Sequence, residues 1–150
     1  MDIKAIWLEQ LKGERRITRE TITAMTDGDM RFKATPEQMS FGAQALHIIS
    51  CQETLMDAIN GNGWKWERGT TMQYYPTQES ILNRIDYVYA HEQALYANME
   101  IEQFFRMIPT AWGAPEPLIQ LAMGFLTHEA HHRGQMVTYL RLKAMKPAQY

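Results

Sequence analysis

The stretch Thr127-His128-Glu129-Ala130-His131-His132-Arg133-Gly134-Gln135 holds three of the five histidines in the chain. His128 and His132 stand four positions apart, so on a helix both project from one face. Leu118, Leu121, Phe125, His128, His132, Met136 and Tyr139 or Leu140 follow one another at steps of three and four. That spacing predicts a long helix over about 115–143 with both histidines on its core-facing stripe. Arg141, Lys143 and Lys146 gather near its C-terminal end, where the helix dipole favours cations. Two buried imidazoles are costly unless each ring nitrogen has a partner. A shared cation takes the lone pairs and leaves the other N–H groups for nearby acceptors. Two ligands are too few for a tight site, so a third is expected from another segment.

Upstream, three more helical segments are separated by breakers. The first spans about 3–25, with Ile3, Ile6, Trp7, Leu11, Ile17, Thr21 and Met25 at helical spacing. Asp27-Gly28-Asp29 ends it, with Gly28 as the expected left-handed cap. The second begins near Thr35-Pro36-Glu37-Gln38, a capping-box pattern, or at Ser40, and stops at Asn60-Gly61-Asn62-Gly63. Residues 64–76 read as a loop holding Trp64, Trp66, Tyr74 and Tyr75; a loop this long in a small domain is usually either functional or a sign of a missed element. The third helix follows Thr77 and runs to Met99 or Phe105, and Pro109, Gly113, Pro115 and Pro117 force a connection. No stretch alternates long enough to predict a strand. The fold class is therefore all-α, a four-helix bundle.

The chain of 150 residues fits one domain, 1–150. A 45% hydrophobic and 21% charged composition is that of a soluble globular protein, and a net charge of −2 argues against nucleic acid as a partner. No run of about 18 apolar residues is present, so no membrane span is predicted. The first residues lack the pattern of a signal peptide. A single cysteine, Cys51, allows no internal disulfide. These features suit a reducing cytoplasm.

His47 is the favoured third ligand. It lies on the strip Ala43, His47, Cys51, Leu55 (or Thr54), Ala58, whose small residues leave room between helices. His91 competes, but Arg84 and Tyr87 beside it make its face less buried. His131 neighbours Gly124, Thr127 and Gln135 and belongs at the edge of the site, either beside the ligands or on the surface. Cys51, one turn from His47, is a fourth ligand, a reactive thiol beside the ligands or a small hydrophobe. His128-Glu129-x-x-His132 also fits the metalloprotease pattern H-E-x-x-H. Such proteases take a further ligand downstream, and this chain has no Asp or Glu after Glu129 and no His after His132. Glu129 then becomes a surface acid or a group supporting the ligands.

With His47 in the second helix and His128 to Gln135 in the fourth, the sequence resembles the DinB/YfiT-like superfamily. Ser40-Phe41-Gly42 and the tail from Tyr139-Leu140-Arg141-Leu142 to Pro147 are similar to that family as well. Ala144 or Met145 stands where many members have Gly. The resemblance implies an up-down-down-up bundle, often a homodimer, with a divalent metal on His47, His128 and His132. Zinc or nickel is the usual occupant. Some members are metal-dependent thiol S-transferases acting on small electrophiles, with low-molecular-weight thiols as co-substrates. The alternatives are a metal-dependent hydrolase or a non-enzymatic bundle, in stress response or dimerisation, whose metal staples helices. A thiol co-substrate would leave the aromatics of 64–76 to wall the pocket, or they simply pack. No catalytic residue is assigned.

Overall fold

The computed structural model describes residues 2–66 and 69–147. Four helices carry the fold: α1 (Ile3–Thr23), α2 (Phe41–Ile59), α3 (Gln78–Ala97) and α4 (Leu118–Leu142). Positions 67 and 68 of the expected 64–76 loop lie outside the described residues.

Local chemistry explains where the helices begin. The Asp2 carboxylate accepts from the Ala5 N–H at 3.1 Å and caps α1. Ser40, not Thr35, caps α2, its hydroxyl accepting from the Ala43 N–H at 3.3 Å. The Thr35 capping box does not form because the Phe41 and Gly42 N–H groups return to Phe32 O and Met30 O, holding the preceding stretch as a loop. Thr77 and Ser80 form a reciprocal capping box on α3. Gly28 is not a left-handed cap. α1 closes at Ala24, whose N–H returns to Glu20 O, and Asp27–Asp29 forms a short 3-10 turn. α3 stops at Ala97, before the expected end, and a 3-10 turn covers Ile101–Phe105.

The expected connection after residue 106 contains an antiparallel hairpin, β1 (Met107–Thr110) and β2 (Gly113–Pro117). Met107 pairs with Pro117 and Thr110 with Gly113. The strands escaped the sequence because they are short and rich in proline, which normally confines a residue to sheet edges.

Partner contacts fix the helix directions. Lys4 meets Met99, Arg15 meets Glu92 and Arg19 meets Asp86, so α1 and α3 run antiparallel. Gln44 meets Gln135 and His47 meets His128, so α2 and α4 do too. Thr18 meets Glu129, while Leu11 shares one cluster with Leu118 and Leu121 and Ile22 another with Met136 and Leu140, so α1 and α4 run parallel. The result is an up-down-down-up bundle.

The core is in two apolar layers. One holds Ile22, Phe41, Ile49, Ile85, Met136 and Leu140. The other holds Leu11, Leu55, Tyr96, Phe104, Leu118 and Leu121. Each fully buried side chain of this size contributes about 1.5–3 kcal/mol. Between the layers lies a buried polar belt that includes Arg15, Thr18, Gln52, Glu92, Glu129, His132 and Arg133.

Candidate metal centre

α2 and α4 lie side by side, and the histidine stripe of α4 faces α2. Nε2 of His128 is 3.1 Å from Nε2 of His132 and 3.3 Å from Nε2 of His47. The His47 and His132 ring centroids are 4.6 Å apart. His132 is buried, and the other two are half-buried. Burial holds the His47 imidazole below its usual pKa. His128 is lowered by burial and then by His47 and His131. His132 is lowered to about 4, by burial first and by the neighbouring histidines after it. These rings are neutral at ordinary pH, the state in which imidazole offers a lone pair to a metal.

One tautomer is fixed by its surroundings. Nδ1 of His132 contacts Gln44 Oε1, an oxygen that only accepts, so Nδ1 carries the proton and Nε2 presents its lone pair to the cluster. The Gln44 amide in turn donates to Gln135 Oε1, and the Gln135 amide donates to His131 Nε2 at 2.7 Å. A chain of amides thus runs from His132 to the exposed His131. Gln44 and Gln135 were not singled out from the sequence. The available signal was their place one turn from His47 and His132 respectively.

The donor set fits a transition metal. Two ligands at the zinc–nitrogen distance in a tetrahedral arrangement lie about 3.3 Å apart, and the two measured nitrogen separations fall beside that value. The sulfur of Cys51 is 3.7 Å from His47 Nε2, and donor atoms of His47, Cys51 and His128 lie within 4.8 Å of one another. Cys51 is buried, and burial raises its thiol pKa to about 11, so it is an un-ionised thiol when no metal is bound.

The remaining sequence candidates lie elsewhere. His91 is exposed and contacts its own helix at Tyr87 O, 2.7 Å away, so it takes no part in the cluster. Glu129 is not a surface acid: it is 0% exposed. Its carboxylate pairs with Arg15 and accepts from Thr18 Oγ1 and from Tyr89 OH at 3.1 Å. It therefore points into the polar belt between α1 and α3. Arg15 also holds Glu92 through two hydrogen bonds of 2.8 Å. Gln52 satisfies the same group when its nitrogen donates to Glu92 Oε1 at 3.0 Å and its oxygen accepts from Arg15 at 3.3 Å.

Trp66 borders both His47 and His128. Trp64 stacks on Trp66 and on Phe125 at centroid distances of 5.7 and 6.0 Å, and its indole N–H donates to Pro109 O. Tyr74 is exposed, and Tyr75 packs against the core with Arg84 over its ring. Trp112, on the hairpin turn, also reaches the site, and no spacing pattern in the chain points to it.

Fold and site together define a helical bundle protein with a histidine cluster suited to a divalent metal. The sequence matches the DinB family over residues 2–149, and the chain belongs to that family. Solved structures share the fold. A DinB-like protein from Bacillus cereus superposes with a TM-score of 0.80 at 21% identity, covering 95% of this chain and 94% of that one. A DinB-like protein from Bacillus subtilis gives 0.78 at 19% identity, with the same coverage. A conserved protein from Enterococcus faecalis gives 0.74 at 16% identity, covering 95% and 97%. No curated protein sequence matches the chain. Among the described residues no helix is long and apolar enough to cross a membrane.

Proposed function

We propose that His47, His128 and His132 hold one divalent transition metal, zinc or nickel, and that the protein transfers a low-molecular-weight thiol to small electrophiles. The observation that carries this reading is the convergence of three imidazoles with nitrogen separations of 3.1 and 3.3 Å, one of them oriented by Gln44. A bound cation supplies the charge that favours thiolate over thiol at neutral pH. Three protein ligands also leave room for a co-substrate, as in catalytic rather than structural sites. The chain's own residues set the tautomer of His132 through Gln44 and wall the approach to His128 with Trp66 and Phe125. In the reaction the thiol proton passes to solvent. The sulfur then attacks the electrophilic carbon, a C–S bond forms, and the leaving group departs with its bonding electrons. The Cys51 sulfur lies 3.7 Å from His47 Nε2, beside the histidines.

The test is elemental analysis of protein purified without an affinity tag, for the wild type and for His47→Ala, His132→Ala and Cys51→Ser. One metal per chain is expected in the wild type and in Cys51→Ser, with loss in both histidine variants. Full occupancy in either histidine variant sinks the assignment. Conjugation of chlorodinitrobenzene with a panel of thiols then tests the transfer, which should vanish on chelation and return on adding metal back. Ester hydrolysis without any thiol requirement would instead favour the hydrolase.

A further inference from the structure

Two clefts, one carrying two cations and one almost wholly apolar, open onto the histidine cluster and share Trp66 as a wall. The larger, about 760 Å³, reaches His47 and sets Arg31, Lys33, Ser40 and Thr70 beside the apolar Met39 and Met72. The smaller, about 260 Å³, reaches His128 and Cys51 and is bordered by Trp112, Leu121 and Phe125. Each volume is near or within the range of small-molecule sites, roughly 300–1,000 Å³. His47 and His128 meet at 3.3 Å, so molecules seated in the two clefts would face each other across the cluster.

Arg31 and Lys33 of the larger cleft belong, with Arg106 and Arg141, to the cations that hold no carboxylate among the described residues. Arg15, Arg16, Arg19, Arg84 and Arg133 each sit on a carboxylate. Arg31 does not: its guanidinium donates to Met72 O at 3.3 Å, and the Lys33 ammonium donates to Pro36 O at 3.2 Å. Neither has an ion-pair partner among the described residues. Glu37 is the carboxylate among the described residues lining this cleft, so two cations face one acid. Arginine with free donors is suited to carboxylate or phosphate. The smaller cleft has the contrary character. Trp64 backs its wall, 4.8 Å from Trp112 and 6.0 Å from Phe125 by ring centroids. Its one acid, Glu116, is already engaged by the Trp112 indole at 2.8 Å and the Gln120 amide at 3.2 Å.

We infer that the site takes two ligands at once: an anionic small molecule, with carboxylate or phosphate groups on Arg31 and Lys33 and its far end at His47, and a flat apolar molecule against Trp66, Trp112 and Phe125 at His128. This rests on the proposed transferase reading for its purpose, the anionic molecule being the thiol and the apolar one the electrophile. The binding itself involves no chemistry and can be measured apart from it.

The experiment uses unreactive probes on the purified protein. S-methylglutathione carries carboxylates but no thiol, glycerol 3-phosphate tests the phosphate source, and nitrobenzene tests the apolar cleft by quenching tryptophan fluorescence. Binding of either anion is expected to weaken about tenfold or more in Arg31→Gln/Lys33→Gln, with nitrobenzene changed by less than about twofold. Trp112→Ala should show the reverse. Saturating anion should leave nitrobenzene affinity unchanged. Binding of neither anion, an undiminished affinity in the double variant, or competition between anion and nitrobenzene would each overturn the inference. All three substituted positions are exposed, and melting curves check that the variants fold. If the probes bind as expected while the protein carries no metal, the two clefts stand and the transferase reading falls.

Discussion

Glu129 holds its carboxylate where water does not reach, between Arg15, Thr18 and Tyr89. Its neighbours on α4 face the opposite way, toward α2. One residue of the H-E-x-x-H pattern thus serves the bundle and two serve the candidate site. Removing one partner of a buried ion pair leaves the other charge stranded, which costs about 3–5 kcal/mol. Glu129→Gln is expected to lower stability by about 3 kcal/mol in denaturant unfolding, with metal content unchanged in the folded fraction. Full stability in that variant would show that Arg15 is satisfied by Glu92 alone. The histidines give a second residue-scale prediction, for chelated protein. His132 titrates near 4 in the fold, pushed down chiefly by burial, against about 6.5 in an unfolded chain. The unfolded state therefore binds more protons between those values, and stability rises with pH across that window. The melting temperature of metal-free protein should be highest above about pH 6.5 and fall toward pH 4. His132→Gln should flatten that slope; an equal slope in the variant would place the proton uptake elsewhere.

At the scale of elements, α4 shows both what the sequence makes plain and what it hides. Its stripe was legible because a period of three and four runs unbroken from Leu118 to Leu140 and includes the histidines. Its end was legible only as a departure. Ala144 has φ of +54°, the residue other than glycine with positive φ among those described. The Ala144 N–H returns to Arg141 O and the Met145 N–H to Leu140 O, a Schellman closure in which glycine is the usual residue. A left-handed alanine costs about 1–2 kcal/mol, and glycine loses part of that gain through unfolded-chain entropy. Ala144→Gly is therefore expected to stabilise by about 0.5–1 kcal/mol, read as a raised denaturation midpoint; a lowered midpoint would contradict the cost assigned to that backbone. Gly42 in Ser40-Phe41-Gly42 has a simpler cause, since a Cβ there would run into Met72 Sδ and lie 3.1 Å from Met30 O. The hairpin stayed hidden because its strands draw support from distant groups such as the Trp64 indole on Pro109 O. Gln44 and Gln135 stayed hidden for the same reason: an amide becomes informative only when its partner across the bundle is known. The histidines announced themselves because a polar residue on an apolar stripe is anomalous even in isolation.

Across the whole molecule, each helix crosses one apolar layer, the polar belt and the second apolar layer. The family assignment and the solved relatives account for the architecture, and the belt accounts for the height at which the histidines sit. Arg15 on α1, Gln52 on α2, Glu92 on α3 and Glu129 and Arg133 on α4 meet at one level. The apolar layers alone would tolerate helices stacked in several registers, because leucine against isoleucine is nearly the same contact one turn up or down. The belt does not. Sliding α4 by one turn, about 5.4 Å, would carry Glu129 away from Arg15 and Thr18 into hydrocarbon and strand its charge. A line of buried charges that adds little net stability can thus select one alignment of four similar rods from many. In that alignment His128 and His132 arrive opposite His47.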